Sequence, residues 1–322
     1  MEINNWINLR RSMKKKVGAL FITYNANINQ LKKNIETVLK QVNACVIVDN
    51  GSKNIDQLVQ FSRRQNITLI KLEKNYGIAA AQNQGFKYFD KHKFEWVLTL
   101  DQDSLLPDNT MYEFELTGKM NDVDTGIIAA SYFDKNWTET QKRALVYQGN
   151  ESVIEKKFVI SSGNLVNVVA WRGVRGFDER LFIDMVDYDF DARLIISGFK
   201  IWQSNLVIME HAIGTVLHRP ILERLLLLPE TGLLSDHPAF RQYYIYRNTI
   251  IFYKRYPNLK KKKLLIPRSF FATRRMLVYQ DSITKLKYSW KGIIDGIRYD
   301  PKKDLEFLDT LRRIEGKDEA SD

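Results

Sequence analysis

Apolar and polar positions follow two rhythms through the first third of the chain. Residues 17–23, 44–48, 67–72 and 96–100 are short apolar runs rich in Val, Ile and Leu, the pattern of buried strands. Between them apolar residues recur at helical spacing. Leu31, Ile35, Val38 and Leu39 form one such face, with Asn27 or Asn29 placed to cap it. A helix around 55–64 follows, then one over 78–89 that opens on small residues. Strand and helix alternate, which predicts an α/β fold with a mostly parallel sheet and right-handed crossovers.

The rhythm loosens after Pro107. A helix near 110–119 precedes a strand at 126–131, and residues 132–157 are polar and irregular. Residues 158–165 read as a strand, a turn and the start of another element. Residues 168–172 read as helical, 173–178 as a turn, 181–198 as a helix ended by Gly198, and 200–210 as a strand. Beyond Leu217 the chain becomes helical and aromatic. Residues 221–228 are strongly apolar, 241–253 form an aromatic helix, Lys260 to Lys263 a basic hinge, and 270–297 helices mixing cations with apolar residues. The last residues read as frayed.

Composition narrows the class. The apolar fraction of 44% and charged fraction of 27% are those of an ordinary globular protein. One cysteine excludes an internal disulfide, and Cys45 sits in a predicted strand, where an inert core thiol is expected. No Cys/His metal framework exists. No stretch reaches the length of a membrane span, and the first residues lack the apolar core of a signal peptide, so a cytoplasmic protein is expected. Met13 offers an alternative start. The net charge of +11, concentrated near both ends, points to an anionic partner: phosphate ligands, anionic lipid or nucleic acid.

Candidate chemistry lies where the apolar runs stop. Four predicted strands end in Thr23-Tyr24-Asn25, Asp49-Asn50-Gly51-Ser52, Asn75-Tyr76-Gly77 and Asp101-Gln102-Asp103. Parallel sheets bind ligands outside the carboxyl ends of their strands. Asp101 and Asp103 can share a hard divalent cation and leave positions for phosphate oxygens; a strand-end turn with solvated acids is the plainer reading. Asp49 can accept the imide N–H of uracil or thymine, or it can cap its own turn. Asn75 and Gly77 open a helix with Ala79, Ala80, Ala81 and Gly85, which lets backbone approach an anion. Across the predicted 181–198 helix, Asp184, Asp187 and Asp191 share one face.

Together these segments resemble a known family. Ile-Thr-Tyr-Asn at 22–25, Val-Asp-Asn-Gly-Ser at 48–52, Asn-Tyr-Gly-Ile-Ala-Ala-Ala-Gln-Asn-Gln-Gly at 75–85, Asp-Gln-Asp at 101–103 and Gly-Phe-Asp-Glu-Arg-Leu-Phe-Ile-Asp at 176–184 are similar to family two inverting glycosyltransferases, which have the GT-A fold. The resemblance spans 17–255. It is nearest to bacterial rhamnosyltransferases of surface polysaccharide synthesis, which carry similar Asp-Gln-Asp, Ser-Ser-Gly and Arg-Asn segments. It implies that Asp49 holds the base and that Thr23, Tyr24, Asn25, Asn75, Gly77 and Asp101 bind the nucleotide. Asp103 and His211 would bind Mg²⁺ or Mn²⁺, and Arg247 the phosphates. Ser162 and Gly163 would line the sugar and acceptor side. Asp187 would be the catalytic base. The family's base follows another acid, whereas here Val186 precedes Asp187, so Asp184 stays a rival base or acceptor contact.

The expected function is therefore transfer of a sugar to a glycan or lipid-linked acceptor. The donor would be dTDP-rhamnose, with a UDP-sugar as the alternative. Expected domains are an extension at 1–16, a GT-A domain at 17–255 and a basic helical region at 256–322. The cationic, aromatic C-terminal part suits an anionic membrane surface; a packed helix pair with a solvated basic face is the plainer reading. A nucleotidyltransferase would want a Gly-rich, Lys-bearing loop after the first strand, which is missing. A nucleic-acid-binding or scaffolding protein is disfavoured because the cations avoid the strand-end pocket. Oligomeric state is left open.

Overall fold

The computed structural model describes residues 15–65, 67–134, 151–211, 215–217, 219–228, 234–259 and 264–316. They form two compact units. One comprises Met1–Glu179 with Phe190–Ala212, the other Arg180–Asp189 with Ile213–Asp322. The N-terminal extension through residue 14, the polar stretch 135–150, the basic hinge at Lys260 to Lys263 and the residues after Gly316 lie outside the described residues.

The first unit is built on strands β1 (Val17–Thr23), β2 (Ala44–Asp49), β3 (Thr68–Lys71), β4 (Trp96–Asp101), β5 (Thr125–Asp134), β6 (Val153–Lys156), β7 (Asn164–Asn167) and β8 (Lys200–His211). They make one sheet in the order β3-β2-β1-β4-β7-β5-β8-β6. The pairs β3/β2, β2/β1, β1/β4 and β5/β8 are parallel. Strand β7 runs antiparallel between β4 and β5, and β6 runs antiparallel to β8. The mostly parallel α/β sheet expected from the alternating pattern is therefore present.

Helices α1 (Ile28–Leu39), α2 (Ile55–Gln65) and α3 (Ile78–Lys91) are the crossovers of the parallel half, followed by α4 (Thr110–Leu116) and α5 (Val168–Gly173). Asn27 caps α1, its side chain accepting from the N–H groups of Asn29 and Gln30. Helix α3 lies close on β1 because two glycines allow it. A Cβ on Gly85 would stand 2.2 Å from Leu20 Cδ1, and one on Gly18 would stand 2.1 Å from the Phe89 ring. Val17, Ala19, Phe21, Ile47, Leu58 and Leu98 belong to one buried cluster with little or no solvent exposure. Burying a Val, Leu, Ile or Phe side chain contributes roughly 1.5–3 kcal/mol.

The helix expected over 181–198 is shorter. Glu179–Leu181 is a 3₁₀ turn, Phe182, Asp184 and Met185 each have φ of 64°, and α6 (Val186–Ile196) begins only then. The reason is tertiary. The Asn248 side-chain amide donates to the carbonyls of Leu181, Ile183 and Asp184 at 2.7, 2.8 and 2.9 Å, oxygens that a continuous helix would need for itself. The strand expected at the start of 158–165 is irregular backbone, and β7 starts at Asn164.

The second unit contains the antiparallel pair β9 (Thr215–Leu217) and β10 (Leu234–Asp236) and five helices among the described residues. These are α7 (Pro220–Leu225), α8 (Ala239–Arg255), α9 (Leu265–Ala272), α10 (Ser282–Arg298) and α11 (Leu305–Ile314). Its small core joins Tyr246, Ile250 and Ile293. No helix among the described residues is long and apolar enough to cross a membrane.

Candidate active site

Parallel pairing sets the site's level. Thr23 is the register partner of Asp49, and Ile22 of Asp101, so β2, β1 and β4 release their loops side by side. Asp49 is 1% exposed. Its Oδ1 accepts from the Thr23 hydroxyl at 3.1 Å and from the Ser52 hydroxyl, and its Oδ2 accepts from the Ser52 N–H at 2.8 Å. The turn-capping reading of Asp49 is thus a fact of the structure.

The neighbouring loops are stitched together. Asn25, at φ 50°, donates its N–H to Ser52 Oγ at 2.8 Å, and its Oδ1 accepts from Lys53 N–H at 2.9 Å. The Tyr24 N–H donates to Gln102 Oε1 at 2.9 Å, while the Tyr24 ring is exposed. Asn50, given no separate role in the sequence, ties the second loop to the third. Its Nδ2 donates to Asn75 Oδ1 and to the Gly77 carbonyl, and its Oδ1 accepts from Tyr76 N–H at 2.9 Å. Gly77 stands at φ 89°, ψ 164°, a conformation restricted to glycine, and its N–H donates to Asn75 Oδ1 at 2.9 Å.

The acid turn is equally well supported. The Ser104 N–H donates to the Asp101 carbonyl at 3.3 Å, closing residues 101–104. Ser162 reaches this turn from the segment before β7. Its Oγ accepts from the Asp101 N–H at 3.0 Å and donates to Ser104 Oγ at 2.8 Å. Gly163, at φ 78°, donates its N–H to the Thr99 carbonyl at 2.8 Å. Ser162 and Gly163 therefore brace the acids, and the Ser162 hydroxyl is occupied in doing so. Past the turn, Leu105 and Glu210 exchange backbone hydrogen bonds of 3.3 and 3.2 Å, which brings the end of β8, and the backbone of His211, alongside. The His211 side chain lies outside the described residues.

Asp101 and Asp103 are half-buried. Two carboxylates in one turn suit a small hard cation that keeps its other positions for phosphate and water. Among the described residues no group of three His, Cys, Asp or Glu side chains is arranged around a metal position.

Asp184, Asp187 and Arg247 belong to the second unit. Asp184 sits outside α6, so it does not share a helical face with Asp187 as the spacing implied. Its carboxylate takes Nε and Nη2 of Arg241 at 3.1 Å each. Asp187 lies in the first turn of α6, half-buried, its Oδ1 accepting from Tyr188 N–H at 2.9 Å. Asp191, counted with the first unit, accepts from the Val159 N–H at 2.8 Å. Arg247 stacks on Tyr243 and Tyr244, its carbon 5.3 and 4.8 Å from the ring centroids. It donates through Nε to Asn248 Oδ1 and through Nη2 to the Arg180 carbonyl, both at 2.8 Å. Ser52, Asn50 and Gln102 stand in the strand-end segments singled out in the sequence, but their bracing roles were not foreseen. The Asp-x-x-Ser spacing at 49–52 was the available signal for the first.

A mostly parallel sheet with polar loops on one edge and an Asp-x-Asp turn at its fourth strand is the arrangement of the GT-A fold. The profile of glycosyl transferase family 2 matches residues 19–182, and the chain belongs to that family. It is 25% identical over 300 residues to dTDP-rhamnosyl transferase RfbF of Shigella flexneri, covering 89% of this chain and 97% of the relative. A probable glycosyltransferase of Sulfolobus acidocaldarius is 27% identical over 130 residues, covering 37% of this chain and 28% of the relative. The crystal structure of GalNAc-T7 with UDP, GalNAc and Mn²⁺ superposes with a TM-score of 0.56 at 12% identity, covering 92% of this chain and 58% of that one.

Proposed function

We propose that the protein is an inverting, metal-dependent transferase that moves L-rhamnose from dTDP-rhamnose to a hydroxyl of a glycan or lipid-linked glycan precursor. The single observation carrying this reading is the common level at which Thr23, Asp49 and Asp101 leave adjacent parallel strands, with the acid turn braced behind them. The rhamnosyl relative, matched over nearly its whole length, supports the sugar.

In this reading Asp49 accepts the thymine imide N–H, while Thr23, Tyr24, Asn25, Asn75 and Gly77 shape the nucleotide pocket. Asp101 and Asp103 would hold Mg²⁺ or Mn²⁺, and His211 is a further candidate ligand. When bound, such an ion neutralises the diphosphate as it departs. The acceptor oxygen attacks the anomeric carbon, the bond from that carbon to the diphosphate oxygen breaks, and the hydroxyl proton passes to Asp187. One displacement with one base gives inversion. Asp184, already paired with Arg241, is better suited to holding its loop than to taking a proton.

A thermal-shift panel of nucleotide sugars, with and without Mn²⁺, tests the donor and the ion together. A Mn²⁺-dependent shift with dTDP-rhamnose that is lost in Asp103→Ala is the expected result. A shift with a UDP-hexose alone would replace the donor and keep the class; no shift with any nucleotide sugar would overturn the reading.

A further inference from the structure

Helix α10 packs its small residues and Ile293 inward and turns a second set of large apolar residues outward. Ser289, Gly292 and Gly296 are buried. A Cβ on Gly292 would lie 2.2 Å from the Tyr243 carbonyl oxygen, and one on Gly296 would lie 2.9 Å from Ile250 Cβ, so α10 and α8 are in backbone contact there. The opposite face carries Ile283, Trp290, Ile294 and Ile297, which are 68%, 47%, 42% and 37% exposed. Their intervals of seven, four and three residues place them in one stripe. A contiguous exposed apolar stripe rimmed by polar residues marks an interaction surface.

Charge identifies what covers the stripe. Lys287 and Lys291 are exposed and border it at helical spacing, as does exposed Arg298, which lies 3.8 Å from Asp295. The only acid on the helix, Asp295, accepts from the Tyr243 hydroxyl at 3.0 Å, toward α8. The Trp290 indole N–H donates to Thr273 Oγ1 at 3.1 Å, which fixes the ring with much of its surface outward. A two-fold contact with a second copy would bring Lys287 and Lys291 toward the same lysines of that copy. We infer that this face docks on an anionic lipid bilayer, the Ile/Trp stripe entering the headgroup–acyl boundary and the cations meeting lipid phosphates. The inference stands on α10 alone and does not depend on the donor sugar.

Flotation of the full-length protein with vesicles of phosphatidylcholine, and with equal parts of phosphatidylcholine and phosphatidylglycerol, tests it. The expected result is binding about tenfold or more tighter to the anionic vesicles, weakened by salt. Ile283→Ser with Ile294→Ser should weaken that binding about tenfold, and Lys287→Glu with Lys291→Glu should erase the preference for anionic lipid. All four positions are exposed, so both variants should melt as the parent does. Absence of binding to anionic vesicles, or binding indifferent to both pairs of substitutions, overturns the inference. So does a dimer in light scattering that the Ile pair dissolves while vesicles are ignored, which would assign the face to a second copy.

Discussion

Asp189 and Arg255 form an ion pair of 2.8 Å in which both side chains are only 2% exposed. The Tyr256 hydroxyl also donates to Asp189 Oδ1 at 2.8 Å. Arg255 Nη2 reaches Asp304 at 2.9 Å, and the guanidinium lies over the Phe307 ring. Removing one partner leaves an uncompensated buried charge. Arg255→Met is expected to lower the unfolding free energy by about 3–5 kcal/mol, read by urea denaturation. Asp189→Ala combined with Arg255→Met should cost less than the two single losses added; strict additivity would show that the pair is not coupled.

Close helix–sheet contact gives a second expectation. Gly85 has no room for a side chain against Leu20. Gly85→Val should destabilise the first unit by about 1–3 kcal/mol through overpacking, visible as a lower denaturation midpoint. An unchanged midpoint would mean that α3 can ride up on β1 at no cost.

Base and metal roles separate kinetically. Asp187→Asn should retain donor binding and lose turnover by about 10²- to 10⁴-fold. Asp103→Ala should lose the Mn²⁺-dependent part of donor binding as well. If Asp187→Asn turns over normally, the role of base passes to Asp184.

Asn248 holds the carbonyls of Leu181, Ile183 and Asp184 with one amide and is fully buried. Asn248→Ala orphans them and should cost about 1–3 kcal/mol. Because the loop it grips leads directly into Asp187, kcat should fall with little change in donor affinity. A variant with the parent's kcat would confine Asn248 to a structural role.

His237 supplies a pH test. Burial holds its imidazole below the ordinary value, with Arg241 acting in the same sense against Asp184 and Asp236. The unfolded imidazole titrates near 6.5. Just below that pH the unfolded chain therefore holds more protons than the folded one, and stability rises with pH. The full stability is present above about 6.5 and declines as pH falls toward the folded value. His237→Gln should flatten this limb, measured as melting temperature against pH. The depressed Asp304, burial notwithstanding, is held down by the hydroxyl of Tyr299 and by Arg180, and its contribution is lost only at more acid pH. A limb equally steep in the variant would discharge His237 of the effect.

The parallel half of the sheet was legible because each strand is an apolar run closed by polar turn residues. Thr23, Asp49 and Asp101 consequently fall at its edge as expected. The start of α6 was not legible. Residues 181–198 keep helical spacing throughout, and the break is imposed by Asn248, far along the chain. Strands β6 and β7 have four residues each, too few for a period to show. The bracing role of Ser162 was hidden for the same reason as that of Asn248: a hydroxyl's partner is set by which strands become neighbours, and β7 takes its place by crossing against the sheet.

That crossing has a mechanical outcome. With one hydroxyl, Ser162 grips both the amide behind Asp101 and the side chain of Ser104, so the two loops cannot shift independently. Whatever pulls on the acid turn also resets the segment at 161–163. Ordered kinetics, with the nucleotide sugar entering before its co-substrate, are the behaviour such a linkage would imprint, and swapping Ser162 for alanine should make the order of entry random.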